Sequence, residues 1–114
     1  MRKLVVLLAL ALVIAGSANA VTLWSNQIAA SGTGTVVATA GKDIAVQVCG
    51  TAFTGTVTIY QGSRTDSLTA TKTLTLTGYA TCAEYYDLRR SNVVRVDFTR
   101  SSGTLKTVEL EIGK

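Results

Sequence analysis

The sequence predicts an all-β protein: an antiparallel β-sandwich, immunoglobulin-like or jelly-roll-like, of seven to eight short strands, preceded by a secretory signal peptide. Three observations lead there. Apolar residues recur at every second position over most of the chain, as strands buried on one face require. Clusters of Gly, Ser, Asn and Asp interrupt these runs at short intervals. No stretch carries the 3.6-residue apolar period of a helix.

The N-terminus reads as an address. Met1, Arg2 and Lys3 make a short positive start, and Leu4 to Ala15 is an unbroken apolar run of twelve residues. Ala18-Asn19-Ala20 then gives a small-x-small cleavage site, the pattern of a bacterial-type signal peptide. Twelve apolar residues fall short of the roughly 20 that span a bilayer, so the membrane is met only during export. The expected organisation is a leader over residues 1–20 and one domain over residues 21–114. Removing the leader changes the charge: eleven basic residues minus Arg2 and Lys3 is nine, against seven acidic, a net of +2 rather than +4. That balance calls for no nucleic-acid partner.

The strands follow in order. Val21 to Asn26 and Thr33 to Thr39 are the first two. Ile44, Val46 and Val48 then share one face, and Val57 and Ile59 alternate with Thr56, Thr58 and Tyr60. Leu68, Ala70, Leu74 and Leu76 oppose Thr69, Thr71, Thr73, Thr75 and Thr77. Glu84 to Leu88 is a short strand. Val94, Val96 and Phe98 alternate with Arg95 and Asp97, and Val108, Leu110 and Ile112 with Thr107, Glu109 and Glu111. Turn residues separate them at Gly41-Lys42-Asp43, Gly50, Gly55, Gln61-Gly62-Ser63, Gly78 and Ser101-Ser102-Gly103. The eighteen Thr suit outward strand positions through their branched Cβ. There is no Pro, so no strand edge is blunted by one.

Cys49 and Cys82 are the two cysteines. In an oxidising compartment two Cys in a small domain pair, and this bridge would stabilise by about 3–4 kcal/mol on the chain-entropy model. With no His, the chain has no Ser-His-Asp triad, no imidazole base and no His-ligated metal. It also lacks a G-x-S-x-G elbow, an S-x-x-K pair, a phosphate-binding Gly loop and a D-x-D-x-D-G calcium loop. Glu109 and Glu111 share a strand face, which reads as a solvated surface. The expectation is a protein with no catalytic residues, no metal and no cofactor.

The candidate binding residues are Tyr79, Tyr85, Tyr86, Arg89 and Arg90, with Arg95 and Arg100 nearby. Tyr and Arg anchor interfaces because they combine large contact area with few rotamers or a rigid fork of donors. They also stack on sugars or bases. Trp24 is the candidate N-terminal anchor: its strand either closes its own sandwich or is donated to a neighbour.

The segments Ile44-Ala-Val-Gln-Val-Cys-Gly50, Phe53-Thr-Gly-Thr-Val-Thr-Ile-Tyr60, Val93-Val-Arg-Val-Asp97 and Gly103-Thr-Leu-Lys-Thr-Val-Glu-Leu-Glu-Ile112 resemble small β-sandwich modules of tailed-phage virion proteins. The resemblance implies a non-enzymatic decoration, fibre or tail-accessory role, binding other structural proteins. A leader and a cystine depart from that pattern and mark export to the periplasm, cell surface or medium. The functional expectation is a structural or assembly module, virion-associated or surface-attached. Its partners would be other structural or surface proteins, or further copies of itself as an oligomer or filament. A secreted adhesin or glycan-binding module is the alternative, and so is an extracellular filament subunit built by strand donation.

Overall fold

The computed structural model describes residues 19–113, with backbone alone for Asn19 and residues 84–87. All regular structure among them is strand, and the strands form one antiparallel sheet. They are β1 (Asn19–Gln27), β2 (Ser31–Gly32), β3 (Val37–Ala38), β4 (Ile44–Gly62), β5 (Leu68–Tyr79), β6 (Cys82–Leu88) and β7 (Val93–Ile112).

Two long strands organise the rest. β4 and β7 pair with each other from Ile44↔Ile112 to Gly62↔Val93. On the outer side of β4, β6 covers Ile44 to Cys49 and β5 covers Phe53 to Gly62. On the outer side of β7, β1 covers Leu105 to Ile112, while β2 and β3 cover the stretch from Val93 to Thr99. Each long strand therefore serves two sets of neighbours, one for each half of its length.

The alternation read from the sequence is what brings the core together. Val46 faces Leu110, Val48 faces Val108, Val57 faces Phe98 and Ile59 faces Val96, so the apolar positions of β4 and β7 meet pair by pair. All eight are buried in a single cluster with Ile44, Phe53, Leu76, Leu88, Val94 and Leu105. A straight strand would set Ile44 and Ile59 roughly 50 Å apart. Sharing one core thus requires β4 to bend.

The bend lies where turns were expected. Register shifts fall between Cys49 and Gly50, between Thr51 and Thr54, and between Thr54 and Gly55. Ala52 takes a φ of 52°, and Gly103 opposite takes 75°. Extra residues in one strand kink it and sharpen its twist without breaking the pairing. Gly50, Gly55 and Ser101-Ser102-Gly103 are accordingly bulges inside continuous strands, not turns between short ones. The expected strand from Thr33 to Thr39 is a second difference, since pairing within it is confined to β3, and β2 lies just before it.

The Cys49–Cys82 disulfide joins β4 to β6 across a sheet pair, linking the two residues the sequence indicates. Trp24 ties β1 to the far half of β7. Its indole Nε1 donates to the Val96 carbonyl at 2.9 Å, and its ring meets Phe98 edge-on at 4.8 Å. The signal peptide assigned to residues 1–20 lies almost wholly outside the described residues.

Candidate functional site

Three connections converge at the end of the sheet away from the bend. They are the β4–β5 turn, the link between β6 and β7, and the turn at Gly41. Between them lies an open cleft of about 480 Å³, lined by Gly41, residues 61–63, Ser67, Thr69, Thr71 and residues 89–92.

Gln61 makes the floor. It falls on the inward row of β4 after Val57 and Ile59, opposite Val94, and is 4% exposed. A buried amide needs partners, because leaving one unmet costs about 1–3 kcal/mol. Gln61 Nε2 donates to the Arg89 carbonyl and, at 3.2 Å, to Ser91 Oγ. Its Oε1 accepts from Thr71 Oγ1 at 2.8 Å. One side chain thus pins the β6–β7 link to both strands of the β4–β5 hairpin.

Backbone bonds fix the remaining wall. Asn92 N donates to the Gly62 carbonyl at 3.1 Å, and Gly41 N to the Ser91 carbonyl at 2.9 Å. Thr39, 1% exposed, closes the underside by donating its hydroxyl to the Ser91 carbonyl. No buried side-chain polar atom among the described residues is left without a partner. The walls are therefore set before any ligand arrives.

The rim is polar and positive. Arg90 Nε bonds Asp43 Oδ1 at 2.7 Å, an exposed pair worth about 0–1 kcal/mol. Arg89 is exposed, and its guanidinium engages no acceptor among the described residues. Ser63, Ser67 and Thr69 add exposed hydroxyls.

A second polar cluster sits on the outward row of β4 and β7. Arg95 lies over the Tyr60 ring, 4.5 Å from its centroid, and grips Asp97 through two bonds of 2.9 Å. Asp97 Oδ1 also accepts from Gly34 N at 3.0 Å. The adjoining hollow measures only about 180 Å³. Cation and carboxylate satisfy each other here, so the cluster fastens the segment before β3 to the sheet.

The sequence-predicted site residues do not all gather. Arg89 and Arg90 line the cleft. Tyr79 pairs with Phe53 beside the bend and packs on the core, at the far end of β6, roughly 20 Å away. Tyr85 and Tyr86 lie on β6, and their side chains are outside the described set. Arg95 and Arg100 turn elsewhere, Arg100 Nε donating to the Gly103 carbonyl. Sequence reasoning missed Gln61 and Ser91. The parity of Gln61 with Val57 and Ile59 was the available signal, masked by the turn-like Gln-Gly-Ser. Among the described residues no three His, Cys, Asp or Glu come together as a metal site.

No protein-family model matches the chain, and no curated protein matches its sequence. Among solved structures, the chain is similar to the SPBc2 prophage-derived protein YomS, with a TM-score of 0.59 and 8% identity over 82% of this chain and 90% of that one. It is also similar to the CBM32 of AlyQ, solved in complex with 4,5-unsaturated mannuronic acid, with a TM-score of 0.50 and 17% identity over 83% of this chain and 76% of that one. At such identities the likeness is one of fold, that of a small β-module.

Proposed function

We propose that residues 21–114 form an exported, non-enzymatic β-sandwich module that acts by protein–protein contact, as a structural or assembly component of a virion or a cell surface. In this reading the bent sheet is the sandwich, its two halves packed across the shared core. The observation that carries the reading is the edge at β1. This strand ends the hydrogen-bonded order β1-β7-β4-β5, and its sequence Asn-Ala-Val-Thr-Leu-Trp-Ser-Asn-Gln holds neither charge nor Pro. Ile28 follows it, 68% exposed, the one large apolar side chain so exposed among the described residues. Edges in proteins that stay apart are guarded by charge, Pro or bulges. β5, at the other end, contains Lys72 and a bulge opposite Ile59 and Tyr60. β1 is bulged at Leu23, between Thr22 and Trp24, but carries no charge, which suits it to pair with another chain, including a donated strand of a filament.

Size-exclusion chromatography and negative-stain microscopy of the exported protein test this. Ordered multimers are expected, reduced to monomers by Ser25→Lys with Ile28→Lys. Strict monomers at high concentration would exclude self-assembly, and no capture of a virion or surface protein through this edge would sink the reading altogether.

A second reading, a secreted glycan-binding module or adhesin, is favoured by the cleft. Hydroxyl, amide and guanidinium groups on fixed walls match the donors and acceptors of a sugar ring. The CBM32 of like fold was solved with a saccharide bound, which supports this reading at the level of the fold.

A further inference from the structure

We infer that the cleft beside Gln61 takes a saccharide carrying a carboxylate, with Arg89 as the partner of that carboxylate. The inference rests on the glycan-binding reading and adds the charge of the ligand. Among the described residues, two arginines line the cleft and no Asp or Glu does. Asp43 meets Arg90 from outside, at 2.7 Å, which leaves Arg89 as the guanidinium without an acceptor among the described residues. A guanidinium fork binds a planar carboxylate through two parallel hydrogen bonds.

The remaining lining fixes the rest of the ligand. At about 480 Å³ the cleft exceeds what a lone inorganic anion needs and lies within the range of small-molecule sites, about 300–1,000 Å³. Among the described residues no aromatic ring lines it, so these residues offer a flat base nothing to stack on. Ser63, Ser67 and Thr69 instead offer hydroxyls along one wall, each able to donate and to accept, as vicinal sugar hydroxyls do. Gln61, held by Arg89, Ser91 and Thr71, keeps the Arg89 backbone in place, so the rim cation stands on a rigid support.

Isothermal titration of the exported protein with trigalacturonate and with its fully methyl-esterified form separates charge from sugar. Trigalacturonate is expected to bind about tenfold or more tightly than the ester, in line with a charged hydrogen-bonded pair. Arg89→Ala should abolish that difference and Arg89→Lys restore part of it. Arg64→Ala, which removes the same charge from the exposed β4–β5 tip outside the cleft lining, should leave binding within about twofold. Equal binding of acid and ester, or undiminished binding by Arg89→Ala, overturns the carboxylate assignment and leaves the glycan reading standing. Binding of neither probe overturns both.

Discussion

Gly103 holds φ at 75°, and a Cβ added to it would stand 2.0 Å from the Ala52 carbonyl oxygen. It sits where β7 crosses the bend of β4, so both its left-handed backbone and its missing side chain are used. Gly78 provides the control, with φ at 56° and nothing within 4 Å of where a methyl group would stand. Gly78→Ala should cost only the left-handed penalty, about 1–2 kcal/mol. Gly103→Ala adds displacement of the bend and should cost about 2–4 kcal/mol. Urea denaturation of both variants measures the difference, and equal losses would mean the crossing is loose. The same scale shows what composition hides. Gln61 has the parity of a core residue and the neighbours of a turn, and its burial depends on Ser91, thirty positions on, to satisfy its amide.

At the scale of elements, the inward faces of β4 and β7 were legible and strand continuity was not. The alternations at Ile44, Val46 and Val48 and at Val57 and Ile59 place those side chains correctly, because period two is a local property. Whether Gly50 to Gly55 ends a strand or bends one depends on partners far along the chain. β7 runs beside both halves of β4, and its pairing carries the strand through the bulges. Tyr79 and Arg89 stand together in sequence but not in space for a related reason, since the length of β6 lies between them. That strand is secured to β4 by the disulfide and by the pairs from Ile44↔Leu88 to Cys49↔Cys82. Cys49→Ala with Cys82→Ala should lower stability by about 3–4 kcal/mol on the chain-entropy model. A reductant should then lower the Tm of the wild type and not that of the double variant. A wild-type Tm indifferent to reductant would show that the backbone pairs alone hold β6.

At the scale of the whole molecule, the expected removal of residues 1–20 can be weighed against the fold that remains. β1 begins at Asn19, and its first two pairs, Asn19↔Ile112 and Ala20↔Glu111, lie on the expected leader's side of the cut. Everything that fastens β1 more firmly lies beyond it: the pairs from Val21↔Leu110 to Gln27↔Leu105, and Trp24 on Val96 and Phe98. Both lost pairs are at the fraying end of an edge strand, where local stability is lowest. Ala20 is exposed and adds nothing to the buried cluster. The chain starting at Val21 should therefore match a chain starting at Asn19 within about 0.5 kcal/mol in urea denaturation. Intact mass of the exported protein should correspond to residues 21–114 with two hydrogens fewer than the dithiol. A mass that includes Met1 would exclude cleavage, and a large stability gap between the two starts would place the first two pairs of β1 within the cooperative fold.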